Sequence, residues 1–145
     1  MTWRRLGALI VAAALLAGAC GGDGADEPQP SPQAFEEAEQ LVVAAQGLCR
    51  TLELVEAGEL EEAREVFFNR SHDFLHLIAA KGRGAVPRET GLLLEAKQKV
   101  EQGLDNPGEP SAVLPQSVFD VHAALSDLAP QLGFTRPEPC PEAAS

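Results

Sequence analysis

A chain of 145 residues with a formal net charge of −11 is the size of one domain. Its hydrophobic content of 45% supports an ordinary core, but six Phe, one Trp and no Tyr leave the packing to Leu, Ala and Val, a composition that suits helices better than strands. The acidity excludes nucleic acid as a partner and excludes electrostatic adhesion to anionic lipid, because like charges repel; it describes a solvated surface.

The first twenty residues have a different character. Arg4 and Arg5 precede an apolar stretch from Leu6 to Ala19, and Ala17-Gly18-Ala19 supplies small residues just before Cys20. This is the layout of a signal peptide over residues 1–19. Fourteen apolar residues make about 21 Å of helix, too little for a hydrocarbon core of about 30 Å. The run Leu16-Ala17-Gly18-Ala19-Cys20 resembles the lipobox of bacterial lipoproteins, with Ala17 in place of the commoner Leu. An ordinary secretory leader would be cut at the same bond, but the cysteine stands where lipidation requires one. The resemblance implies diacylglycerol on the Cys20 thiol, a lipid bilayer as first partner, and a body facing out of the cytoplasm. Several acyl chains on one residue anchor stably where a single chain is marginal. Loss of Arg4 and Arg5 with the leader leaves nine basic against twenty-two acidic residues, a charge of −13. Residues 20–32 are rich in Gly, Pro and acidic groups, offer little apolar surface to offset the entropy of ordering, and are expected to be a disordered tether.

From residue 33 onward the periodicity is helical. Phe35, Ala38, Leu41, Val42, Ala45, Leu48, Cys49, Leu52 and Val55 recur at three- and four-residue steps and predict a first amphipathic helix ending near Gly58. A second is expected from Glu59 to about Lys81 on Leu60, Ala63, Phe67, Ser71, Phe74, Leu75 and Ile78, stopping at Gly82-Arg83-Gly84. A third opens near Pro87, carries Leu92, Leu93, Ala96, Val100 and Leu104, and ends at Asn106-Pro107-Gly108. A fourth spans about Ser111 to Leu132 on Leu114, Val118, Val121, Leu125, Leu128 and Leu132, with Pro115 and Pro130 near its ends. Short connections and the absence of alternating strand patterns make the expected fold all-α: an antiparallel up-down four-helix bundle over residues 33–145, with a Pro-rich tail.

Three cysteines are present. With Cys20 lipidated, Cys49 and Cys140 remain, and an oxidising compartment predicts a disulfide between them. The tail must double back: about six polyproline-like residues reach about 19 Å, while Cys49 lies about 24 Å along helix one.

The chemistry-bearing residues are the histidines. His72 and His76 are four apart and share a helix face, the spacing at which two imidazoles grip one ion. At 100° per residue the same side of helix two carries Glu65 and Asn69, and His122 borders the stripe of helix four. His72, His76, His122 and Glu65 are therefore the candidate ligands for zinc or copper, or two of the imidazoles for a non-covalent haem. Against this, helices two and four are diagonal in a simple bundle, and boundary histidines commonly just pack or hydrogen-bond. No zinc-protease helix, CxxC pair, haem-attachment motif, phosphate-binding loop or nucleophile elbow occurs, so an enzyme is not expected. Glu36-Glu37 and Glu61-Glu62 read as solvated faces, and Arg64 as a side chain lying along the apolar surface. The expected function is a membrane-anchored extracytoplasmic binding domain, its ligand an envelope protein or small molecule; the alternative is metal or haem binding. Phe68 and Leu77 exceed what one buried face needs and would mark a docking place if exposed.

Overall fold

The computed structural model describes residues 32–105 and 112–141. The leader, Cys20 and the tether, like the Asn106-Pro107-Gly108 stop, lie outside the described residues. Within them the chain is helical with no strand: α1 (Pro32–Glu56), α2 (Leu60–Val66), a π-helical segment (Phe67–His72), α3 (Asp73–Ala85), α4 (Pro87–Leu104) and α5 (Leu114–Gln131). The α2, π and α3 segments abut without a break and form one rod, so the architecture is the expected four-helix bundle. No described helix is long and apolar enough to cross a membrane.

Neighbours in sequence are neighbours in space. The rod packs on α1, α3 on α4, α4 on α5, and α5 closes the ring against α1. Ion pairs mark the antiparallel directions. Lys81 near the end of α3 meets Glu37 in the second turn of α1 at 2.8 Å, and Arg64 in α2 meets Asp105 at the end of α4 at 3.5 Å. The core is Leu-, Ala- and Val-rich, with Leu48, Leu54, Leu75, Ile78, Leu93, Leu104, Leu125 and Leu128 fully buried around Phe67. Besides Ala38, which is exposed, two larger stripe residues expected inside, Val42 and Leu92, are about half exposed at 52% and 53%. Each adjoins a buried residue, Leu41 and Leu93, and stands about 100° round the helix from it, on the solvent side of the stripe.

The ends of α1 and α5 follow the same motif. Gly58 (φ 78°) and Gly133 (φ 86°) take the left-handed conformation that reverses the chain. The next residue's N–H then returns to an orphan carbonyl, Glu59 to Leu54 at 2.8 Å and Phe134 to Ala129 at 3.0 Å. The second boundary differs from expectation. Gly82-Arg83-Gly84 does not stop the helix, which runs to Ala85. Gly82 is buried where α3 meets α4, and a Cβ there would run into the Thr90 hydroxyl, so its role is close approach. The stop comes at Val86, outside the helical region at φ −139° and ψ 66°, because the proline that follows excludes the helical conformation from the residue before it.

The π-helical segment has a visible cause. Ala63, Phe67, Ser71 and Leu75 are all buried and follow one another at four-residue steps, which in an unbroken α-helix would precess by about 40° per turn. Wider i→i+5 turns absorb the excess and keep all four inward. The segment is clamped by Ser71 Oγ, which donates to the Ala44 carbonyl of α1 at 2.9 Å.

Cys49 and Cys140 are joined in a disulfide with Sγ atoms 2.05 Å apart across 91 positions of sequence. After Gly133 the tail leaves the helix, seats Phe134 against the core, pairs Arg136 with Asp127 at 3.2 Å and returns to the middle of α1. The covalent partner predicted by counting cysteines is the one the bundle brings within reach.

Candidate metal centre

His72 closes the π-helical segment and His76 follows one turn later in α3. Their imidazoles stand edge to face with centroids 4.6 Å apart and turn the same nitrogen inward, Nε2 to Nε2 at 3.3 Å. The neighbouring helix α4 supplies the third donor: Glu101 Oε1 lies 2.9 Å from His72 Nε2. One ligand atom from each of His72, His76 and Glu101 falls within 4.8 Å of the other two. Phe68 flanks His72 with ring centroids 5.0 Å apart, which fixes one wall of the cluster. On the far side of His72, Nδ1 is 3.1 Å from Asp73 Oδ1. Both ring nitrogens of His72 therefore face a carboxylate, Asp73 at Nδ1 and Glu101 at Nε2; with an ion on Nε2, an Nδ1–H held by Asp73 would be the arrangement found behind metal-binding histidines.

Lys97 completes the group. One turn before Glu101 on α4, it is buried to 3% exposure and donates to Glu101 Oε1 at 2.6 Å. Burial pushes the Glu101 carboxyl up, but the Lys97 hydrogen bond and charge, aided by His72, more than reverse this and hold it below its usual 4.5. The His76 ring is held below 6.5 by desolvation first, then by the charges of Lys97 and His72, with Glu101 and Asp73 opposing. A neutral His76 at neutral pH keeps a lone pair for coordination. The site is thus an anionic oxygen and two imidazole nitrogens meeting at a point, with an ammonium beside the carboxylate.

The other two candidates lie elsewhere. Glu65 lines a shallow open groove with Glu61, Glu62, Arg64, Phe68 and Asn69. A straight helix would align it with His72, but each i→i+5 turn takes up about one extra residue, so residues beyond it fall behind by about 100°. His122 is buried in α5 beside the disulfide and takes no part in the cluster. With His72 and His76 side by side on one rod, Nε2 atoms 3.3 Å apart, no gap separates them for a macrocycle. The pair suits a single ion and not the two faces of a haem.

Glu101 and Lys97 escaped the sequence reading, although one signal was present. Leu93, Lys97, Val100 and Leu104 continue a stripe at four-, three- and four-residue steps, which places a lysine at a core position. Phe68 is half-buried under the Arg64 guanidinium, 5.1 Å above its ring, so Arg64 covers apolar surface as expected. Leu77 is exposed. No protein-family model, curated protein or solved structure matches the chain.

Proposed function

We propose that the protein is a lipid-anchored lipoprotein of the cell envelope whose helical domain binds a divalent transition-metal ion, zinc or copper, through His72, His76 and Glu101. The observation that carries the binding half is the donor spacing. Two ligands held at about 2.0 to 2.1 Å from one tetrahedral ion stand about 3.3 Å apart; the Nε2 atoms are 3.3 Å apart and the His72 nitrogen is 2.9 Å from the Glu101 oxygen. The donors therefore need little rearrangement on binding. Three protein ligands leave a coordination position open to water, a small molecule or a side chain of an envelope partner. The anchoring half is supported by the Leu16 to Cys20 run and by the Cys49–Cys140 bond, a linkage that persists in oxidising compartments. The protein acts by binding and performs no covalent chemistry.

Two measurements test the two halves separately. Calorimetric titration of chelator-stripped protein with Zn2+ and Cu2+ should give one saturable site per chain, lost in His76→Ala and in Glu101→Gln while helicity is retained; affinity no tighter than millimolar would sink the binding half. Mass spectrometry of the mature N-terminus should find an acylated Cys20, and a free thiol there would sink the anchoring half.

A further inference from the structure

A second set of soft donors surrounds the disulfide. One ring nitrogen of His122 and the Sγ atoms of Cys49 and Cys140 all lie within 4.8 Å of one another. His122 is 5% exposed, and its ring is hydrogen-bonded to the backbone of Glu138. Its Nε2 is buried with no hydrogen-bond partner among the described residues. Such an orphan costs about 1 to 3 kcal/mol, and an Ile or Leu at this core position would avoid that cost. A buried imidazole with one nitrogen unpartnered and a ring nitrogen close to two sulfurs has the donor types of a thiolate metal site with its sulfurs closed on each other. We infer that Cys49, Cys140 and His122 form a latent Cys2His site for a thiophilic ion such as Zn2+, opened by reduction of the disulfide.

The tail that carries Cys140 does not depend on the disulfide alone. Phe134 packs on the core and Arg136 is paired with Asp127, so two contacts keep the thiols near each other once the S–S bond is cut. Zinc with two Zn–S bonds of about 2.3 Å places its sulfurs about 3.8 Å apart. With the two Cα atoms 5.1 Å apart, side-chain rotation can bring the freed sulfurs to that spacing. The chemistry balances. A dithiol reductant supplies two electrons and two protons and leaves as its own disulfide, while Cys49 and Cys140 become thiols. Zn2+ then displaces both thiol protons to solvent and takes the neutral His122 lone pair, which carries no proton. Both cysteines are partly accessible, so the reductant can reach the bond. In an oxidising envelope the site rests closed.

The test uses the mature protein in detergent carrying His72→Ala and His76→Ala, so that the first site is silent. Co2+ is the probe and a water-soluble phosphine the reductant, which leaves as phosphine oxide with oxygen from water and competes for metal less than a chelating dithiol does. Reduction should produce a near-ultraviolet thiolate-to-cobalt absorption saturating at one ion per chain and abolished by Zn2+. The oxidised protein and Cys140→Ala should lack it, and His122→Gln should weaken binding at least tenfold. Two titratable thiols with intact helicity and no such absorption would overturn the inference, as would unchanged affinity in His122→Gln. If reduction alone unfolds the chain, Zn2+ added with the phosphine should restore helicity and slow alkylation of both cysteines; alkylation at an undiminished rate counts against the site.

Discussion

Lys97→Met isolates the feature of the proposed metal centre that works against an ion. Lys97 Nζ is 2.6 Å from the Glu101 oxygen that would bind metal. With a Zn–O bond of about 2.0 to 2.2 Å, ammonium and ion would stand within about 5 Å. Two unit charges at about 4 Å repel by about 4 kcal/mol at an effective dielectric constant of about 20, and a divalent ion doubles that. Most of this is recovered when the ammonium swings aside, so a net gain of about 1.4 to 2.8 kcal/mol, ten- to a hundredfold in affinity, is expected when the charge is removed. Met fills the same apolar channel and is a good helix former. The metal-free protein should respond in the opposite sense. Breaking a fully buried pair costs about 3 to 5 kcal/mol and a surface pair about 0 to 1 kcal/mol. Lys97 is 3% exposed and Glu101 27%, which places the loss between, at about 1 to 3 kcal/mol. Calorimetry with Zn2+ at pH 7.5 and urea melts of the stripped protein read the two effects. Tighter binding with lower stability is the expected signature; a variant that keeps its helicity and binds Zn2+ no more tightly than the parent would refute the electrostatic reasoning.

Three further outcomes are expected. Removing the disulfide with paired Cys49→Ala and Cys140→Ala changes frees a loop spanning 91 positions, which in the chain-entropy model lowers stability by about 4 to 5 kcal/mol; a urea midpoint unchanged from the parent would contradict that. Gly82→Ala gains about 0.8 to 1 kcal/mol of helix propensity but drives a Cβ into the Thr90 hydroxyl, an overpacking cost of about 1 to 3 kcal/mol. The single variant should therefore be destabilised, and Thr90→Ala should rescue it in a double-mutant cycle. The rings of His76 and His122 are held below 6.5, His122 chiefly by desolvation against the opposing Glu138 backbone bond. Between the folded pKa and 6.5 the unfolded chain binds more protons, so their contribution is complete above about pH 6.5 and is lost as pH falls through the lower folded values. Urea midpoints should drop from pH 7.5 to pH 5.5, and His122→Gln should flatten the decline.

The helices were legible because their signals are local. The 3.6-residue stripes, the proline that opens α4 and the glycines that close α1 and α5 act within a turn or two of themselves, and tertiary packing had only to agree with them. Gly82 shows where local reading stops: the same residue type breaks a helix when exposed and serves inside one when a neighbour needs the space. The disulfide was also determined in advance, since two cysteines remain once Cys20 is assigned to lipid and the tail is long enough to return.

The proposed metal centre divides along the same line. His72 and His76 share a face because four residues make about one turn, and sequence alone fixes that. Glu101 and Lys97 join them through the register of α4 against the rod, which depends on how whole side-chain layers interdigitate and leaves no mark in the spacing within either helix. The π-helical turns decide the rest, swinging His72 away from Glu65 by an angle that no uniform 100° plot contains. Convergence between helices is a property of packing, and only the folded chain could say which carboxylate the histidines meet.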